Sequence, residues 1–180
     1  QRMVHIGQGL SGFGFGKEHD EIDRVALVHG DTHLAIALEA TDAGAVAAVV
    51  ENAVEKYGRL DLIFNNAGIA VTGDARDLSL DHWRRVIDVN LMGVVYGSDA
   101  AYKVMARQGH GHIVNIASTA SLRGAPGGTA YMTSKFALRG MTECWRAELR
   151  KHNVRVMQVN PSEVITDFAA SAGFEQAAHP

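Results

Sequence analysis

The feature that most constrains the fold of this chain is a regular alternation of short apolar runs with longer segments of helical periodicity. Five runs are apolar at successive positions, which is typical of parallel strands buried on both faces. They span residues 3–6, 33–38, 60–64, 112–117 and 154–159. Because parallel strands are joined by right-handed crossovers, the pattern predicts one doubly wound α/β domain over residues 1–180, with three αβα layers.

Helix boundaries are also indicated by the sequence. Asp42 is a suitable N-cap, and Gly58 a suitable stop, for a helix whose apolar face would carry Val46, Val49, Val50 and Val54. Ser79 can cap a second helix. Two longer helices are expected at about 89–107 and 130–150.

Composition and charge argue against several classes of protein. The formal net charge of −3 gives no electrostatic reason to expect nucleic acid or an anionic membrane as a partner. No apolar run approaches the length of a membrane span, and the first residues do not resemble a signal peptide. The single cysteine, Cys144, fits a reducing cytoplasm, and the nine histidines lack metal-binding spacing, so no metal site is expected.

Ligands of doubly wound sheets bind beyond the carboxyl ends of the strands, and polar segments fall there in this sequence. The run 60–64 leads into Asn65-Asn66-Ala67-Gly68, a turn of small residues over which a flat ligand can approach the backbone. A plain strand-to-helix turn would have a similar composition, so this turn alone leaves both explanations open.

A second polar segment begins at Ser118, directly after the run 112–117, and Tyr131 and Lys135 follow on one predicted helix. Residues four apart share a helix face, with β-carbons about 5–6 Å apart, so the phenol and the amine can enter one site. A nearby ammonium favours the phenolate and would lower the pKa of Tyr131 toward the range of a general acid or base. An incidental aromatic beside a solvated lysine is the alternative.

These segments occur in the order found in one known family. The sequence resembles the short-chain dehydrogenases/reductases, in the branch with the Asn-Asn-Ala-Gly turn, over about 33–168. The resemblance rests on the turn at 65–68, Asn90, Ser118 and Tyr131-x-x-x-Lys135, and on the segments 113–118 and 160–167. It implies a Rossmann-like domain that binds NAD or NADP, which the sequence does not distinguish, and transfers a hydride to or from a carbonyl or alcohol substrate.

The resemblance also implies a role for each matching residue. Tyr131 would exchange a proton with the substrate oxygen, Lys135 would lower the tyrosine pKa and bind the nicotinamide ribose, and Ser118 would hold the substrate oxygen. Asn90 would anchor a water that links Lys135 to solvent. Further cofactor contacts would come from Asn66, Ala67 and Gly68 on the adenosine side and from Pro161, Val164 and Thr166 at the carboxamide end.

The N-terminal third departs from the family pattern. The segment 7–12 satisfies the general G-x-G-x-x-G fingerprint, but Gln8 occupies the position of the family's first glycine. Gly12 and Gly14 are predicted to line the cofactor phosphates, with Gly9 as a further candidate. Glu39 stands where relatives often carry an aspartate that contacts the adenine.

Spacing predicts that elements are missing at both ends. A parallel crossover needs about a dozen residues or more, and the segment between Gly14 and the run 33–38 is too short for helix, strand and second helix. A strand at 25–28 would leave room only for a hairpin. Helical spacing instead predicts that 20–29 is the remnant of a helix, so that the second strand is absent, together with the residue that separates NAD from NADP. The last strand is also expected to be absent, because the chain stops at Pro180.

Three functional hypotheses follow. The first is an NAD(P)-dependent oxidoreductase acting on a small or medium carbonyl or alcohol, with weak and poorly selective cofactor binding. The second is a catalytically silent truncated member that associates with other chains. A sugar-nucleotide epimerase or dehydratase is less favoured, since it would need a larger C-terminal domain.

The resemblance also bears on assembly. The helices at 89–107 and 130–150 correspond to those that family members pair across a two-fold axis. The second helix carries more apolar residues than one sheet-facing stripe requires, which predicts a homodimer; these residues are Phe136, Met141, Trp145 and Leu149.

Overall fold

The computed structural model describes residues 3–7, 24–29, 32–37 and 39–162. They form an α/β fold with six strands in the spatial order β3-β2-β1-β4-β5-β6. The strands are β1 (Met3–Gly7), β2 (Arg24–His29), β3 (Thr32–Ala37), β4 (Leu62–Asn65), β5 (Gly111–Ile116) and β6 (Val154–Val159). The helices are α1 (Ala43–Tyr57), α2 (Leu80–Ile87), α3 (Gly93–Gln108) and α4 (Thr129–Glu148).

The part of the sheet formed by β1, β4, β5 and β6 is parallel throughout. Helices connect these strands, with α2 and α3 between β4 and β5 and α4 between β5 and β6. The predicted doubly wound α/β architecture is therefore confirmed, and the carboxyl ends of β4 and β5 meet at one edge, where ligands of such sheets bind.

The opposite side of the sheet corrects the sequence analysis. The prediction of a helix remnant at 20–29 is wrong over Arg24–His29, which is a strand; residues 20–23 lie outside the described residues. This strand pairs antiparallel with both β1 and β3, so β2 alone is reversed, and β3 runs in the same direction as β1. Two residues separate β2 from β3, which is the length of a tight hairpin connection. A short apolar run suits either a helix or a strand, and pairing with β1 decides between them.

The predicted helix caps are confirmed. Asp42 Oδ1 accepts hydrogen bonds from the N–H groups of Gly44 and Ala45, at 2.8 and 3.0 Å, at the start of α1. Gly58 ends that helix with φ of 77°, a left-handed conformation that glycine adopts without strain. Ser79 caps α2 by accepting from the N–H of His82 at 3.2 Å.

The two long predicted helices are interrupted or shortened. The expected helix at 89–107 begins with a π-helical turn over Asp88–Met92 and becomes regular only at α3. The expected helix at 130–150 corresponds to α4, and the chain continues as a 3₁₀ turn over Leu149–His152. The π-helical turn carries Asn90, so the irregularity falls at a predicted site residue.

The core lies between one face of the sheet and α1, α3 and α4. Alternate residues of the strands enter it, because successive side chains of a strand point to opposite faces; the buried ones are Val4, Ile6, Ile63, Ile113, Val154 and Val156. On the other face of β6, Met157 and Val159 are 40% and 46% exposed. The predicted third layer lies outside the described residues. None of the described helices is long and apolar enough to cross a membrane.

Candidate active site

Three predicted site residues converge beyond the carboxyl end of β5. Ser118 follows that strand by two residues and caps a 3₁₀ turn, Thr119–Ser121, by accepting from the N–H of Ala120 at 3.1 Å. Tyr131 and Lys135 lie on the first turns of α4, four residues apart on one helix face. The lysine ammonium nitrogen is 5.6 Å from the centroid of the tyrosine ring.

Lys135 is a buried cation. The residue is only 4% exposed, and its Nζ donates to the carbonyl oxygen of Ile116 at 3.1 Å. Burial disfavours the charged form, and it lowers the pKa of Lys135 to about 8. The amine is thus close to the point where both of its protonation states are populated near neutral pH.

The pKa of Tyr131 shifts in the direction opposite to the prediction. Burial raises it, because the phenolate loses its solvation, and a side-chain hydrogen bond with Ser118 partly offsets that effect. The hydrogen bond of the Lys135 amine is directed to the Ile116 carbonyl. Sequence spacing showed that the two groups share a face, but not how strongly each is desolvated.

Asn90 connects two segments of the site. Its Nδ2 donates to the Ile69 carbonyl at 2.9 Å and to Ser134 Oγ at 3.0 Å, while its Oδ1 accepts from the Ile69 N–H at 2.8 Å. Ser134 in turn donates to the carbonyl of Tyr131 at 2.6 Å. The sequence analysis missed Ser134; its signal was a polar residue three positions after the tyrosine, on the side of the helix that carries Lys135.

The turn after β4 lies against this group. The N–H groups of Asn66 and Ala67 both donate to the Ile6 carbonyl, at 2.6 and 2.8 Å, which ties the turn to the end of β1. A Cβ built on Gly68 would lie 3.5 Å from Lys135 Nζ. The small turn therefore brings backbone to the lysine amine without an intervening side chain.

The remaining predicted residues are placed less closely or lie outside the described residues. Pro161 follows β6, and its carbonyl accepts from the Thr119 N–H at 2.9 Å, which brings it beside the Ser118 segment. Glu39 is exposed, two residues after β3. Five predicted cofactor residues lie outside the described residues: Gly9, Gly12, Gly14, Val164 and Thr166. Among the described side chains, no group of three His, Cys, Asp or Glu is placed to hold a metal ion.

Comparison with known proteins identifies this arrangement. The family profile for short chain dehydrogenases matches residues 8–177. The chain belongs to the short-chain dehydrogenase family. It is 38% identical, over 148 residues, to trans-4-hydroxycyclohexanecarboxylate dehydrogenase of Sinomonas cyclohexanicum, an alignment covering 81% of this chain and 57% of that protein.

Solved structures of family members have the same fold. NAD+-bound xylitol dehydrogenase aligns with a TM-score of 0.67 and 35% identity, covering 68% of this chain and 48% of its own. A gluconate 5-dehydrogenase from Burkholderia cenocepacia, in complex with NADP and tartrate, aligns with a TM-score of 0.72 and 26% identity, covering 76% and 54%. This short-chain dehydrogenase thus spans about half the length of the relatives that it matches.

Proposed function

We propose that this short-chain dehydrogenase transfers a hydride between a nicotinamide cofactor and a small or medium carbonyl or alcohol substrate. The observation that supports the proposal is the convergence of Ser118, Tyr131 and Lys135 at the carboxyl end of β5, with the tyrosine hydrogen-bonded to the serine and the lysine amine 5.6 Å from its ring. A donor, a proton carrier and a cation beside it are the groups that such a reaction requires of the protein.

The described residues fit a ligand that carries hydroxyl groups. Lys135 is nearly fully buried, yet its ammonium makes one hydrogen bond within the described part of the chain, to Ile116, and has donors to spare. Gly68 faces that ammonium without a side chain. A nicotinamide ribose placed over Gly68 would supply acceptors for the unused donors, with Asn66 and Ala67 lining the adenosine side. NAD and NADP share this ribose, so the fit applies to both.

In the reducing direction, each residue has a defined task. The nicotinamide supplies the hydride when bound. Ser118 holds the substrate oxygen by a hydrogen bond, and Tyr131 donates its phenolic proton to that oxygen. The raised pKa of Tyr131 keeps the phenol protonated at neutral pH, as a proton donor requires. Lys135, while charged, stabilises the phenolate that remains.

Cofactor titration tests this proposal against its alternative, a silent family member that keeps the fold. The intrinsic tryptophan fluorescence of the 180-residue chain is followed during addition of NADH and, separately, NADPH. A saturable change that is lost in Lys135→Met supports the enzyme. No binding of either cofactor at millimolar concentration, with the chain folded by circular dichroism, would favour the silent member.

We also propose that the chain forms a homodimer through α3 and α4. Three of the four apolar residues invoked from the sequence have packing partners within the subunit: Leu149 lies in the core, and Met141 and Trp145 pack against core clusters. Phe136, 43% exposed on α4, is the one that still supports a contact with a second copy. Light scattering at micromolar concentration should give a dimer mass that Phe136→Ser reduces; a monomer mass for the parent would refute the dimer.

A further inference from the structure

A chain of buried polar side chains crosses the helix-covered face of the sheet below the candidate site. Asn65 Nδ2 donates to Ser98 Oγ and to Asn115 Oδ1, both at 2.9 Å, and Asn115 Nδ2 donates to Thr142 Oγ1 at 2.9 Å. These four residues belong to β4, α3, β5 and α4, and none is more than 2% exposed. The polar chain therefore connects each strand of this part of the sheet to the helix above it.

The direction of every bond in the polar chain follows from one contact. Thr142 Oγ1 donates its only proton to the Leu138 carbonyl at 2.8 Å, so it can only accept from Asn115. The amide of Asn115 must then turn its oxygen toward Asn65, which must donate in turn. Asn65 Oδ1 is left without a hydrogen-bond partner among the described residues. The unpaired Asn65 oxygen indicates that the hydrogen bonds to Ser98, between the two asparagines and to Thr142 together fix one orientation of both side-chain amides.

Two of these residues lie on the same elements as the hydrogen bond between Lys135 and the Ile116 carbonyl. Asn115 precedes Ile116, whose carbonyl receives the Lys135 amine. Thr142 follows Lys135 by seven residues, two helical turns or about 10 Å along α4, so both point to the same side of the helix. Strand β5 and helix α4 are thus joined by two hydrogen bonds, and the fully buried Leu138 lies between Lys135 and Thr142 along α4. Apolar contact is non-directional and does not fix how far a helix slides or rotates on a sheet.

We propose that Asn115 and Thr142 are positioning residues, whose hydrogen bond sets the register of α4 on β5 and thereby holds the Lys135 amine against the Ile116 carbonyl. The proposal rests on the proposed function only in giving Lys135 a part in the reaction. The position of the amine itself can be measured without turnover.

The test compares Thr142→Val, which keeps the shape but removes the acceptor, with Thr142→Ser, which keeps the hydroxyl. The pKa of Lys135 is measured in the 180-residue chain by NMR of ¹³C-labelled lysine, with its signal assigned by its loss in Lys135→Met. If α4 shifts, the amine gains solvent, and its pKa rises from about 8 by roughly one unit or more toward the ordinary value of 10.5. Thr142→Ser should keep the parental value.

Val154→Ala is the matched control, because it opens a cavity in the core on β6 without touching the polar chain. It should lower the melting temperature and leave the Lys135 pKa unchanged. The proposal fails if Thr142→Val is destabilised but keeps the parental pKa, or if Val154→Ala moves that pKa equally. Should Thr142→Val not fold, Thr142→Ala, which leaves room for a water on Asn115, replaces it with the same expectation. A shifted Lys135 pKa in Thr142→Val, together with a parent chain that shows no turnover, would refute the proposed function and leave the positioning role standing.

Discussion

The two halves of the sheet differ in how neighbouring strands pair and in how they are connected. On one side, β4, β5 and β6 are parallel, joined by helical crossovers, and carry the convergence of Ser118, Tyr131 and Lys135 at their carboxyl ends. On the other side, β2 and β3 form an antiparallel hairpin added to β1. The two strands of a hairpin have their carboxyl ends at opposite edges of the sheet, whereas crossovers place the carboxyl ends of successive strands at the same edge.

This difference determines which strand ends lie near the candidate site. The parallel half places its polar residues at one edge because every strand there runs the same way. On the other side, β1 and β3 also end at that edge, whereas β2 ends at the opposite one. The Ile6 carbonyl at the end of β1 accepts hydrogen bonds from the turn after β4. The candidate site is thus positioned by the parallel half, and the turn with the proposed adenosine-side residues Asn66 and Ala67 is held by the end of β1.

The largest expected effect tests the parallel half directly. Tyr131→Phe removes the transferable proton but keeps the ring, so kcat should fall about 10²–10⁴-fold while the melting temperature stays near the parental value. Tyr102→Phe on α3 removes the same hydroxyl away from the site and should keep parental turnover. Steady-state kinetics on one carbonyl substrate compares them; near-parental kcat in Tyr131→Phe would disprove the role of that phenol.

The buried lysine predicts a pH-dependent stability that originates in the same half. The folded pKa of Lys135 is about 8, below the ordinary 10.5, so the unfolded chain binds more protons between these values, and stability should rise with pH across that window. In urea unfolding, the free energy of unfolding of the parent should rise by about 2–3 kcal/mol between pH 7 and 10, relative to that of Lys135→Met.

Lys103→Met is the control for that experiment, because it removes an exposed lysine of α3. It should follow the parental pH profile. Measurements stop at pH 10 because burial raises the pKa of Tyr131, so the folded state binds the extra proton above that pH and the sign of the slope reverses. If the difference in free energy of unfolding between the parent and Lys135→Met did not change with pH, the lowered pKa of Lys135 would be wrong.

A proline in the hairpin half should act locally. Strand β2 lies between β1 and β3, so Ala26→Pro removes an N–H from inside the ladder, at a cost of about 1–3 kcal/mol. Hydrogen exchange should show lost amide protection in β2 and β3, with β5 and α4 still protected. Ile113→Pro in β5 should instead remove protection throughout. If both variants lost amide protection equally throughout the described residues, the two halves of the sheet would unfold as one unit.

The smallest expected effect concerns cofactor choice. The family's parallel second strand, whose end separates NAD from NADP, is replaced by the hairpin, so the dissociation constants of NADH and NADPH should differ less than about tenfold, or 1.4 kcal/mol. Parallel fluorescence titrations of the parent chain measure both. Tight binding of one cofactor with strong selectivity would show that other residues supply the missing discrimination.

The parts of the structure that the sequence predicted depend on residues close along the chain. The caps at Asp42, Gly58 and Ser79 are local hydrogen-bond and backbone preferences, and each is found where it was predicted. The spacing of Tyr131 and Lys135 is likewise a property of one helix. Apolar runs located β4, β5 and β6 because each strand is a short run of mainly apolar residues, which is a local feature of the sequence.

Other features depended on partners that are distant in sequence. The segment Arg24–His29 has an apolar pattern compatible with a helix, and its pairing with β1 and β3 made it a strand. Asn90, in the π-helical turn at Asp88–Met92, donates to Ser134, which lies 44 positions later in the sequence. Local periodicity does not predict which buried side-chain amide will form a hydrogen bond with which hydroxyl.

By itself, the amino-acid sequence determined which chemical groups this short-chain dehydrogenase carries, on which elements, and in what order along the chain. Tertiary structure alone decided how those groups are solvated and held: Tyr131 with a raised pKa, Lys135 with a lowered one, and Asn115 bonded to Thr142 beneath them. The physical reason is that identity and periodicity are encoded residue by residue, whereas burial and hydrogen-bond partners depend on which distant segments close over a group.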